Sequence, residues 1–122
     1  MKAINFLDDV NSYHPTGAFT VRIPPNLTSR DQLFEVISNT LKFPEYFGFN
    51  WDALAECLQD FYWIREQLIV IIHSELPRIS DESLGIYLNI LLDSISCWGP
   101  QERHKLEVVF PRSAAEKINL LI

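Results

Sequence analysis

Phe43-Pro44-Glu45-Tyr46-Phe47-Gly48-Phe49-Asn50-Trp51-Asp52-Ala53-Leu54-Ala55-Glu56-Cys57-Leu58-Gln59-Asp60-Phe61 is an aromatic, glycine-centred loop running into a helix. A residue before proline is pushed out of the helical region, so Pro44 is expected to end the helix that precedes it. Gly48 permits a backbone turn that the flanking aromatics would resist. Asn50 reads as the N-cap, and Asp52 falls in the first turn, where a negative charge suits the helix dipole. Trp51, Leu54, Leu58 and Phe61 recur at helical spacing and are expected to point inward, with Cys57 at the edge of that face as a small hydrophobe. Asp52, Ala55, Glu56 and Gln59 recur at i, i+3, i+4 and i+7 and share the opposite face. That face carries two carboxylates one turn apart and no lysine or arginine. It reads either as plain solvated surface or as a recognition surface.

Working outward, residues 18–23 alternate with apolar Phe19, Val21 and Ile23, a strand stopped by Pro24-Pro25. Thr28 or Ser29 caps a helix whose apolar residues are Leu33, Phe34, Val36, Ile37 and Leu41 and which runs to about Lys42. Beyond the central stretch, Tyr62 and Trp63 lead to Leu68–His73, a continuous β-branched run of the kind buried on both faces in the middle of a parallel sheet. Of the tryptophans, Trp63 has the best claim to exposure. Ser80 or Asp81 caps a helix with Leu84, Tyr87, Leu88, Leu91, Leu92 and Ile95 on one stripe, ending near Trp98-Gly99-Pro100. A charged turn holding His104 precedes a third strand, Leu106–Phe110. Ser113 caps a last helix, Ala114 to Leu121.

The resulting order is β, α, α, β, α, β, α. Strands separated by helices call for parallel pairing and right-handed crossovers. The expectation is an α/β fold with a small three-stranded parallel sheet packed with helices. Residues 1–122 read as a single domain, with residues 1–17 an N-terminal extension and 111–122 a C-terminal helical extension. Ile4, Phe6, Leu7 and Val10 leave room for a strand or helical turn docking on the sheet.

The composition, 48% hydrophobic and 21% charged, is that of a globular chain. No apolar run approaches the length of a membrane span, and Asp8 and Asp9 interrupt what would be the apolar stretch of a signal peptide. A cytoplasmic protein is expected. A net charge of −6 disfavours direct binding of nucleic acid and favours a basic partner. Cys57 and Cys97 are expected to be free thiols, and no histidine–cysteine cluster has zinc spacing. No phosphate-binding, nucleophile-elbow or metalloprotease motif occurs. His73, at a strand end, is a weak candidate general base and more naturally a half-buried residue with a backbone partner. Asp52 and Glu56 could form an acid/base pair only if burial split their pKa values. Cys57 has acidic neighbours, which disfavour thiolate. No catalytic residue, metal or cofactor is expected.

The string Pro44-Glu45-Tyr46-Phe47-Gly48, Asn50, Asp52-Ala53-Leu54, Cys57-Leu58 resembles the central motif of the barstar family, small intracellular inhibitors of secreted ribonucleases. The strong likeness covers residues 43–61, and a weaker one in element order covers roughly 18–110. The resemblance implies a barstar-like fold and an immunity protein that occludes the active site of a cognate basic ribonuclease toxin, as a monomer when free. It implies a partner-binding set of Tyr46, Phe47, Gly48, Asn50, Asp52, Ala55, Glu56, Gln59 and Asp60. Within that set Tyr46 is an aromatic contact, Asp52 a contact acid, Glu56 the acid that enters the phosphate pocket, and Gln59 and Asp60 the lower rim. Three positions depart from the family pattern: Glu56 is one methylene longer than aspartate, Ala55 replaces an aromatic contact and Asp60 replaces a glycine. They point to a cognate toxin other than barnase, or to a barstar-like module with a non-nuclease partner.

Overall fold

The computed structural model describes residues 4–122. Its elements are β1 (Ile4–Leu7), a 3₁₀ turn (Val10–Ser12), β2 (Phe19–Ile23), α1 (Arg30–Thr40), α2 (Trp51–Leu58), β3 (Leu68–His73), α3 (Asp81–Cys97), β4 (Lys105–Pro111), a second 3₁₀ turn (Arg112–Ala114) and α4 (Ala115–Leu121). The strands form one sheet in the order β1-β4-β3-β2, and every neighbouring pair is parallel.

From β2 to α4 the elements follow the expected order, and the α/β class stands. The strand count does not: the sheet has four strands, not three, because Ile4–Leu7 pairs with β4 as an edge strand. The sequence leaves this stretch open between a strand and a helical turn, because four residues followed by Asp8-Asp9 carry too little alternation to decide. What makes them a strand is the row of backbone groups that β4 presents beside them.

β3 lies between β2 and β4 and is covered on both faces, as its unbroken apolar run requires. Ile69 and Ile71 join Val21, Ile23, Leu106, Val108 and Phe110 against the helices. Val70, Ile72 and Val109 face the other way, where Val10 from the first 3₁₀ turn covers them. That turn is clasped by the Arg22 guanidinium, which donates to the carbonyls of Val10 and Tyr13. Glu107 on β4 ties the C-cap residue of that turn to β1, accepting from the Tyr13 hydroxyl at 2.6 Å and from the Asn5 amide.

Ser29 and Ser80 are the N-caps of α1 and α3, each accepting a backbone N–H three residues on. The end of α1 differs from expectation. The helix stops at Thr40, and Lys42, at φ 57°, takes the left-handed conformation. The Phe43 N–H then reaches back to the Ser38 carbonyl at 2.9 Å, the closure that usually calls for glycine. The reversal at Lys42, rather than Pro44, terminates the helix. Ser113 does not cap α4, which instead continues from a 3₁₀ turn with no side-chain cap. His104 lies in the connection between α3 and β4, as expected, but not at the surface. It is buried, with Nδ1 2.8 Å from the Glu66 carbonyl and its ring edge-on to Phe61 and Trp98.

Candidate functional site

The loop between α1 and α2 is built from the inside out by its aromatics. Phe47 is 7% exposed and lies edge-on to Phe34 at 6.1 Å and Phe43 at 5.0 Å. Its N–H closes a turn on the Pro44 carbonyl. With Phe43 and Phe47 inserted, the intervening Tyr46 has nowhere to go but outward, and it is 70% exposed. Phe49 is 49% exposed and, at φ 50°, carries the left-handed conformation of the loop. Gly48 does not, so its role is not the expected one. A Cβ there would stand 3.0 Å from the Asn50 side-chain nitrogen, which donates to the Gly48 carbonyl. A side chain there would crowd the Asn50 amide that ties the loop to the start of α2.

Asn50 caps α2 as expected: its Oδ1 accepts the Ala53 N–H at 2.8 Å. One side chain therefore both tightens the loop and starts the helix. α2 is shorter than its periodicity suggests, ending at Leu58 with Gln59 as C-cap. Phe61, at φ 51°, turns back and is fully buried all the same. Leu54, Cys57 and Leu58 face the core, and Trp51 sits half-buried against Phe34, 4.7 Å between ring centres.

The opposite side of α2 faces water. Asp52, Glu56, Gln59 and Asp60 are exposed and Ala55 is half-buried. Among the described residues, no ion pair involves Asp52, Glu56 or Asp60. Of the nine residues implied as a binding set, Tyr46, Asp52, Ala55, Glu56, Gln59 and Asp60 are brought onto or beside this face. Phe47, Gly48 and Asn50 shape the loop that carries it.

Sequence reasoning passed over a neighbouring stripe. Tyr46, Phe47, Ala53, Glu56, Cys57, Asp60 and Trp63 line a shallow groove between loop and helix. Ala53, Glu56, Cys57 and Asp60 are themselves spaced i, i+3, i+4, i+7, a helical signal one residue out of phase with the stripe that was read. Trp63 is half-buried rather than exposed, because its indole N–H donates to the Leu41 carbonyl at 2.8 Å. Tyr62 takes the exposed place, at 60%. The Tyr62 hydroxyl pushes the Tyr46 phenol above its ordinary range, with a smaller contribution from Asp60.

Burial, then Asp60 and Glu56, push the Cys57 thiol up to about 11, so it is held as thiol. His73 is fully buried rather than half-buried. Its Nδ1 stands 3.0 Å from the Val109 carbonyl and its Nε2 2.6 Å from the Tyr87 hydroxyl. The carbonyl can only accept, so Nδ1 carries the proton and Nε2 accepts from Tyr87. Both ring nitrogens are engaged inside the core, which leaves no free base at a surface. Both cysteines are free thiols. Among the described residues, no three or more histidine, cysteine or acidic side chains converge to hold a metal ion, and no helix is long and apolar enough to cross a membrane.

Comparison with protein families matches residues 19–111 to the model described as Barstar (barnase inhibitor). β1 and α4 lie outside the matched stretch. Comparison with curated proteins gives no match.

Proposed function

This chain belongs to the barstar family, and from that premise we propose that it is a cytoplasmic inhibitor of a basic ribonuclease toxin, plugging the active site with α2 and the loop before it. A ribonuclease must present cations to bind RNA phosphates. A helix face of carboxylates stands in for those phosphates through charge-assisted hydrogen bonds. The observation that carries the reading is that Asp52 and Glu56 are exposed on one face of α2 without an intramolecular cation among the described residues.

In this reading Asp52 and Glu56 meet the toxin's cations, Tyr46 packs across from the loop, and Gln59 and Asp60 close the lower rim. Phe47, Gly48 and Asn50 act by holding the loop and helix start rigid, which lowers the ordering cost of association. The net charge of −6 steers a basic partner into place. The chain makes the inhibitory contact without chemistry of its own. Ala55, where relatives carry an aromatic, leaves the centre of the face without a large anchor, so the cognate enzyme differs from barnase.

The test is a ribonuclease encoded beside this gene, purified and assayed on a fluorescent RNA with increasing amounts of the protein. Wild type abolishes activity at equimolar ratio. Asp52→Ala and Glu56→Ala each weaken inhibition by at least about 2 kcal/mol, roughly thirtyfold in Kd, with unchanged melting temperature. Equal protection by the double variant and wild type removes these acids from the site. Failure of wild type to inhibit such an enzyme removes the ribonuclease from the reading.

A further inference from the structure

α3 ends on Trp98, its C-cap, and the indole of this residue reaches across to α2. Its N–H donates at 2.9 Å to the carbonyl of Leu58, the last residue of that helix. The last four carbonyls of a helix find no partner inside it. Here the N–H groups of Gln59, Asp60 and Phe61 turn back to the carbonyls of Ala55, Glu56 and Cys57, so the Leu58 carbonyl falls to the indole. The ring is itself fixed. It is stacked on Phe61, with centres 5.9 Å and planes 19° apart, and stands perpendicular to His104 at 5.4 Å. Phe61 is the buried residue at which the chain reverses after α2. One side chain at the end of α3 thus holds both the final carbonyl of α2 and the ring on which the chain turns away.

We propose that Trp98 is a positioning residue for the acidic face: it fixes the C-terminal turn of α2, and with it Glu56, in the orientation that the partner meets. An eight-residue helix is too short to hold its shape in water by itself. Asn50 secures its first turn, where Asp52 lies. Trp98 secures its last turn, where Glu56 lies. Without the indole donor the Leu58 carbonyl is left part-buried and unpaired, a state the helix escapes by opening its last turn to water. Glu56 must then be ordered again when the partner binds, which weakens the complex, whereas Asp52 keeps its place. The effect on binding rests on the reading of α2 as the helix shown to a ribonuclease; the anchoring of α2 does not.

The anchoring is tested without a ribonuclease. Amide hydrogen exchange is followed in wild type and in two variants. Trp98→Phe keeps a ring against Phe61 and lacks the donor. A protein carrying 3-benzothienylalanine at position 98 keeps both rings, with sulfur in place of the N–H. Gln59, Asp60 and Phe61 are expected to exchange at least about fivefold faster in both variants. The references are the amides of β3 and that of Leu54, whose N–H bonds to the Asn50 carbonyl. Unchanged exchange at Gln59, Asp60 and Phe61, or an equal rise throughout the fold, overturns the proposal. The consequence for binding is read against a ribonuclease that wild type inhibits. Trp98→Phe is expected to weaken inhibition at least about fivefold in wild type and in the Asp52→Ala background, and less than about twofold in the Glu56→Ala background. A residue that only stabilised the fold would cost the same in both backgrounds, and that result overturns the positioning role. If wild type inhibits no ribonuclease, the ribonuclease reading fails, and exchange at the end of α2 still decides whether Trp98 anchors it.

Discussion

His73 makes the stability of this fold depend on pH, and the size of the effect follows from its surroundings. It is fully buried, its ring is stacked 3.9 Å from Phe110, and burial lowers its pKa from 6.5 to about 4. In the unfolded chain the imidazole takes a proton as pH falls through about 6.5, while the folded chain refuses it until about 4. Between those values the unfolded state binds more protons. The contribution is therefore complete above pH 6.5 and is lost as pH falls towards 4. At about 1.4 kcal/mol per pH unit this amounts to roughly 3 kcal/mol, a large share of the stability of a small domain. Tyr87, which hydrogen-bonds His73, packs 6.4 Å from Trp51, the first residue of α2. The loss is thus felt at the seat of the acidic helix. Urea denaturation of wild type and His73→Gln at pH 7.5 and pH 4 measures it. The amide keeps a donor and an acceptor but does not titrate in this range. Wild type is expected to lose about 3 kcal/mol more than the variant between the two pH values, the other ionisable groups being common to both. Equal losses would refute the reasoning.

Association with a basic partner is expected to slow at least tenfold between about 0.01 and 1 M salt, because screening shortens the reach of the charge field; stopped-flow fluorescence of the tryptophans reads this. Asn50→Ala removes the α2 cap and its tie to Gly48, and chemical denaturation should show a loss of about 1 kcal/mol. Lys42→Gly relieves the left-handed strain at the end of α1 and should raise stability by up to about 1 kcal/mol. A lower midpoint for Lys42→Gly would mean that the Lys42 side chain contributes more than its backbone costs.

The Asn50 cap, the other two caps to within one residue (Thr28 or Ser29, Ser80 or Asp81), the stripe on α3, the central position of β3 and the acidic side of α2 could all be read from the sequence. Each depends on residues within a turn or two of one another, where periodicity and capping chemistry act directly. The family motif lies in the same local stretch. The tertiary structure decided the rest. Ile4–Leu7 becomes a strand only because β4, about a hundred residues away, lies beside it, as the Asn5 to Glu107 hydrogen bond records. Phe61 accepts a left-handed backbone while fully buried, so packing outweighs the local preference there, and Lys42 takes one where the Phe43 N–H closes back on the Ser38 carbonyl. Phe47 and His104 are drawn inside by aromatic neighbours on other elements. The groove joins a loop tyrosine, one stripe of α2 and Trp63. Which surfaces meet is settled by burial of apolar area across long separations, and such burial leaves no periodic trace in the chain.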